Sequence, residues 1–131
     1  MSAPTSTGRP RILVAEDDPD LLKMLEMVLR TLGDVVTASD GLDALEKVRS
    51  GPPPDVVVTD LMMPRMDGLA LAKQIKAQPS LSRVPVVILT ARTSPRDVIA
   101  GINAGARFYL TKPFKTEELL VKVRKALGQR R

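Results

Sequence analysis

With 131 residues, 44% of them hydrophobic and 27% charged, the chain has the size and balance of one soluble domain with a true apolar core. It contains neither cysteine nor histidine, which excludes disulfides, thiolate nucleophiles, the usual zinc sites and a Ser-His-Asp triad, and leaves carboxylates, hydroxyls, lysine and backbone for any ionic chemistry. The net charge of +5 gathers at both ends (Arg9, Arg11, then Lys122, Arg124, Lys125, Arg130, Arg131) and reads as solvated helix faces and termini rather than a nucleic-acid surface, since aromatics for stacking are nearly absent.

Residues 1–9 read as a flexible tail, residues 10–128 as one folded domain, and residues 129–131 as a second short tail. No apolar run reaches the ~18 residues of a membrane span, and the start of the chain lacks the apolar centre of a secretory signal. The expectation is a cytoplasmic protein with no membrane partner.

Ile12-Leu13-Val14-Ala15 is the first strand candidate and ends in Glu16-Asp17-Asp18. Pro19 suits a first helical position, and Leu21, Leu22, Leu25, Val28, Leu29 and Leu32 recur at helical spacing before Gly33 stops the run. Val35 to Ala38 predicts a short second strand. Ser39-Asp40-Gly41 opens a helix whose buried stripe should be Leu42, Leu45 and Val48. The breaker Gly51-Pro52-Pro53-Pro54 precedes Val56-Val57-Val58, a β-branched run suited to a central strand covered on both faces, which ends in Thr59-Asp60.

Leu61 to Gly68 reads as a loop, and Leu69, Ala72 and Ile75 as the core face of a third helix. Val84 to Leu89 predicts the fourth strand, ending in Thr90-Ala91. Ser94-Pro95 caps a helix running towards Asn103 or Ala104. Phe108-Tyr109-Leu110 is the fifth strand, followed by Thr111-Lys112-Pro113. Thr116 is the expected cap of a last helix, with Glu117 and Glu118 in its first turn and Leu119, Leu120, Val123 and Leu127 facing inward. Strict β-α alternation requires a parallel sheet with helices on both faces, and sites in such sheets lie beyond the carboxyl ends of the strands.

Those ends carry Glu16, Asp17, Asp60, Thr90 and Lys112. Each has an ordinary reading by itself: a strand-end aspartate as a turn former, Asp18 as part of the helix start, Thr90 as a β-branched strand end, Lys112 as a solvated charge. Together they gather on one edge of the sheet. Three converging carboxylates repel unless a cation intervenes, and an all-oxygen donor set with few carboxylates suits Mg²⁺. A carboxylate beside Mg²⁺ can act as a nucleophile, with Lys112 supplying positive charge and Thr90 a hydroxyl donor to a phosphoryl group.

Four segments then resemble the receiver domains of two-component response regulators: Ile12-Leu13-Val14-Ala15-Glu16-Asp17-Asp18-Pro19, Asp60-Leu61-Met62-Met63-Pro64-Arg65-Met66-Asp67-Gly68, Leu89-Thr90-Ala91, and Tyr109-Leu110-Thr111-Lys112-Pro113-Phe114. The resemblance covers residues from about 10 to 128. It implies a flavodoxin-like α/β fold, a single doubly wound five-stranded parallel sheet in the order 2-1-3-4-5 with five helices. It implies that Asp60 is the phosphoacceptor and that Glu16, Asp17, Asp60 and the backbone carbonyl of Met62 hold Mg²⁺. Thr90 and Lys112 would contact the phosphoryl group, and the Lys112-Pro113 bond would be cis. Tyr109 matches the switch aromatic of the family, against the plainer reading of a tyrosine lying on an edge strand. Glu16 stands where aspartate is commoner, its longer side chain reaching the metal through water. Met62 and Arg92 occupy positions that tune dephosphorylation.

The implied function is a signalling switch rather than a turnover enzyme. A sensor histidine kinase or phosphotransfer protein would be the donor, and a downstream protein would bind the face made by the fourth helix, fifth strand and fifth helix, where Arg96, Ile99, Ile102, Arg107, Tyr109 and Lys122 fall. The chain ends at Arg131 without an output domain, as a stand-alone receiver or part of a longer regulator would. The alternative is a receiver-like binding module that is not phosphorylated. A phosphatase of the haloacid-dehalogenase kind needs two aspartates separated by one residue after the first strand, which Glu16-Asp17-Asp18 does not provide. Neither a P-loop nor a GxGxxG pattern is present.

Overall fold

In a computed structural model, residues 8–91 and 94–128 are described. Five strands, β1 (Arg11–Ala15), β2 (Asp34–Ala38), β3 (Val56–Asp60), β4 (Val86–Thr90) and β5 (Ala106–Thr111), alternate with five helices, α1 (Pro19–Leu29), α2 (Gly41–Ser50), α3 (Gly68–Ala77), α4 (Pro95–Asn103) and α5 (Thr116–Gly128). All strand pairings are parallel, and the strand order is β2-β1-β3-β4-β5. The chain steps from β1 outward to β2 and then back across to β3. This reversal opens a crevice at the carboxyl ends of β1 and β3.

Two apolar layers hold the sheet. On one face Leu13, Ala15, Val57, Val86 and Ile88 pack with Ala44, Leu45 and Val48 of α2 and Leu71, Ala72 and Ile75 of α3. On the other, Ile12, Val14, Val56, Val58, Val87, Leu89 and Leu110 pack with Leu25 and Leu29 of α1 and Leu119, Val123, Ala126 and Leu127 of α5. The side chains alternate between faces, as the two-residue period of a strand demands. Every residue of β3 and of β4 is buried. Each large aliphatic side chain in these layers contributes about 1.5–3 kcal/mol of apolar burial.

The structure revises several details of the sequence reading. Leu42 is 40% exposed, and Ala44 takes its place in the buried stripe of α2, because Asp40 caps the helix and Gly41 sits in its tightest contact. Leu71 joins Ala72 and Ile75 in the α3 core face, while Leu69 is half-buried. β4 begins after Pro85, and β5 extends to both sides of the predicted segment. A single 3₁₀ turn at Pro79–Leu81, absent from the sequence reading, buries Leu81. Thr116 is the first residue of α5 rather than its cap. The backbone N–H of Lys115 is taken by the Glu118 carboxylate at 2.8 Å instead. Leu120 is only half-buried. Arg9, assigned to the tail from sequence, donates to the Arg30 carbonyl and lies 3.6 Å from the Asp34 carboxylate.

Candidate functional site

Strands β1 and β3 are neighbours, so their carboxyl ends bring Glu16, Asp17 and Asp60 to one point. One carboxylate oxygen from each lies within 4.8 Å of the others. Glu16 and Asp60 are buried, whereas Asp17 faces solvent. From the end of β5, Lys112 Nζ reaches between the two buried acids, 3.2 Å from Glu16 Oε1 and 3.0 Å from Asp60 Oδ2. The Lys112-Pro113 peptide bond is cis, as the resemblance implied.

The electrostatics follow from this arrangement. Burial pushes the Glu16 carboxyl above its ordinary range. The N–H of Asp18, donating to Glu16 Oε2 at 3.1 Å, works against that rise, the Asp60 charge adds to it, and Lys112 offsets part of it. Burial works against the charge of Lys112, but its hydrogen bond to Asp60 and the attraction of both acids outweigh this and raise its pKa. Among the described residues three carboxylates thus meet one contacting ammonium. The deficit of positive charge, together with oxygen-only donors, fits a small hard cation, whose opposite ligands stand about 4 Å apart.

Thr90 ends β4 beside this cluster, 1% exposed. Its carbonyl accepts the Lys112 N–H at 2.9 Å, which ties the two strand ends together. The Met62 N–H approaches Asp60 Oδ1 at 3.4 Å, so the loop after β3 folds back over the acid that precedes it. α3 starts just as close: a Cβ on Gly68 would meet the Asp60 carbonyl oxygen at 2.3 Å. Asp18 stays out of the cluster and caps α1, accepting from the N–H groups of Asp20 and Leu21 at 3.0 and 3.4 Å. Tyr109 pairs with Ile88 two residues before Thr90, half-buried, with its ring against Gly101 of α4. Arg92 lies outside the described residues.

The sequence places Asp40 at the opening of α2 and Arg65 in the loop after Asp60, but gives no sign that the two pair. The Arg65 guanidinium grips the Asp40 carboxylate with two of its nitrogens, Nε to Oδ2 at 2.7 Å and Nη2 to Oδ1 at 3.0 Å. That hydrogen bond, with those from the start of α2, holds the Asp40 carboxyl below its usual range. Spacing gives no warning of a pair 25 residues apart.

The model for the response regulator receiver domain matches residues 12–124. The DNA-binding response regulator MtrA of Mycolicibacterium smegmatis is 46% identical over 122 residues, covering 92% of this chain and 52% of that protein. The transcriptional regulatory protein PrrA of Mycobacterium tuberculosis is 44% identical, covering 97% of this chain and 53% of its own length. The chain therefore spans about half the length of the curated relatives it matches. Among solved structures, the receiver domain of a Francisella response regulator superposes with a TM-score of 0.84 at 34% identity, covering 94% of this chain and all of that one. The receiver domain of a Pseudomonas aeruginosa sensor histidine kinase, solved with a magnesium ion in its active-site cleft, gives 0.83 at 33% identity, covering 92% of this chain and 99% of that one. On fold, strand order and sequence, the chain belongs to the response regulator receiver domain family of two-component signalling.

Proposed function

We propose that residues 10–128 form a phosphoacceptor switch in which Asp60 takes a phosphoryl group from a histidine kinase or phosphotransfer protein. The observation that carries this reading is Lys112 Nζ, held between Glu16 and Asp60 at the mouth of the β1/β3 crevice. An Asp60 oxygen attacks phosphorus and forms an acyl phosphate as the bond from phosphorus to the donor breaks. Lys112 keeps its ammonium at 3.0 Å from that carboxylate and is placed to pair with a phosphoryl oxygen on arrival. The Thr90 hydroxyl serves as a further donor. Mg²⁺, held by Glu16, Asp17, Asp60 and the Met62 carbonyl, would supply charge neutralisation for the transferred group.

The switch then acts through the α4-β5-α5 face, where Tyr109 and Thr90 link the site to the surface. Ile99 and Ile102 are 57% and 60% exposed there, and Arg96 and Arg107 are exposed beside them. Lys122 lies over the Phe108 ring, 5.8 Å from its centroid. A downstream protein binding this face would read the phosphorylated state as a population shift. No helix among the described residues is long and apolar enough to cross a membrane, and the cytoplasm is the proposed location. On this reading the domain is a signalling acceptor rather than a turnover enzyme.

The test is intact mass spectrometry after incubation with Mg²⁺ and acetyl phosphate, alongside Asp60→Asn. A Mg²⁺-dependent gain of one phosphate in the wild type, absent from the variant, is the expected result. No gain under conditions that label another receiver would overturn the phosphoacceptor reading and leave a constitutive binding module.

A further inference from the structure

The loop between β3 and α3 carries the backbone next to Asp60, and its shape is unusual. Arg65 has φ +67°, a conformation that costs a non-glycine residue energy. The Met66 N–H donates to the Pro64 carbonyl at 2.7 Å, closing a three-residue turn centred on Arg65. A γ-turn with positive φ at its centre is rare and strained. Strain of this kind persists only where surrounding contacts over-determine it.

At the tip of the loop, such contacts come from the start of α2. Asp40 is 7% exposed and does two jobs: it caps α2 by accepting the Asp43 N–H at 2.8 Å and takes both Arg65 bonds. Next to it, a Cβ on Gly41 would meet the Met66 carbonyl oxygen at 2.1 Å, so the two backbones touch. At its base the loop is closed by the Gly68 N–H, which donates to the Leu61 carbonyl at 2.8 Å. The loop is thus fixed at its base by its own backbone and at its tip by a residue from another element. Met62 lies between these anchors.

We propose that Arg65 and Asp40 form a latch that pins the strained tip of the 61–67 loop to α2 and thereby positions the Met62 backbone for cation binding beside Asp60. Both are positioning residues, and the inference rests on the cation-binding part of the proposed function. Glycine in place of Arg65 takes up positive φ without strain. If the pair merely compensates for an awkward turn, Arg65→Gly makes it dispensable. If it positions Met62, the same change leaves the fold sound and the cation site loose.

The experiment titrates Mg²⁺ alone into wild type, Arg65→Gly, Arg65→Lys, Asp40→Ser and the Arg65→Gly/Asp40→Ser double variant. The Met62 amide resonance is followed by NMR, and amide hydrogen exchange is measured across residues 61–67. Serine keeps a cap on α2 without a charge for Arg65, and melting curves verify folding. The expected result is a Mg²⁺ midpoint raised about 3- to 10-fold in Arg65→Gly and Asp40→Ser, in keeping with a bidentate but partly exposed ion pair. Loop exchange should be faster, the double variant no worse than either single, and Arg65→Lys partly restored. A wild-type midpoint in Arg65→Gly, or losses that multiply in the double variant, would overturn the latch. The titration does not depend on phosphorylation: a wild type that binds Mg²⁺ but is never labelled defeats the phosphoacceptor reading and leaves the latch intact.

Discussion

At the level of single residues, Glu16 sets a cost that function must tolerate. It is 1% exposed, and burial raises its pKa. An acid with a raised folded-state pKa destabilises the fold at pH above that raised value, where it is charged in both states. That penalty is relieved as pH falls through the raised value towards the ordinary 4.5. Asp40 has the opposite sign: its pKa is lowered, so its contribution is present above 3.8 and is lost as pH falls further. In metal-free buffer, stability is therefore expected to rise as pH falls through the raised Glu16 value and then to fall below about pH 4. Glu16→Gln is expected to raise the neutral-pH stability and abolish the rising limb. Urea titrations at stepped pH measure both, and a monotonic loss on acidification in the wild type would contradict the assignment to Glu16.

Elements were legible where periodicity and punctuation agreed. Pro19, Ser94-Pro95 and Gly51-Pro52-Pro53-Pro54 marked boundaries that the structure keeps, because proline and capping residues act locally. α2 was read less well. Leu42, Leu45 and Val48 are equally apolar and fall at helical spacing, and only the orientation imposed by Asp40 and Gly41 decides which of them faces the sheet. Leu45→Ala is expected to cost about 2–5 kcal/mol and Leu42→Ala less than about 0.5 kcal/mol, by chemical denaturation. Equal losses would return Leu42 to the core. The convergence of Glu16, Asp17, Asp60 and Lys112 could be anticipated from strand ends alone, since parallel strands deliver their last residues to one edge. The Asp40–Arg65 pair could not, because it depends on how two loops approach each other rather than on any pattern within either.

Across the whole molecule, the site and the stability of the fold are coupled. The ends of β1, β3 and β5 together supply the charged residues of one cluster, so a cation bound there would hold the native sheet and have no equivalent in the unfolded chain. At ten times its dissociation constant, Mg²⁺ is expected to stabilise the protein by about 1.4 kcal/mol, a rise of about 5 °C in Tm. Chelation should reverse the rise, and Asp60→Asn should reduce it. A Tm indifferent to Mg²⁺ over the millimolar range would count against the metal-binding part of the proposal.

The packing of Tyr109 against Gly101 has a practical consequence. The chain has one tyrosine and no tryptophan, so emission excited beyond the absorption of its two phenylalanines comes from a single ring at the junction of α4 and β5. The protein thus carries its own optical probe at the surface proposed to change state, one whose signal needs no label and, with that excitation, no correction for other residues.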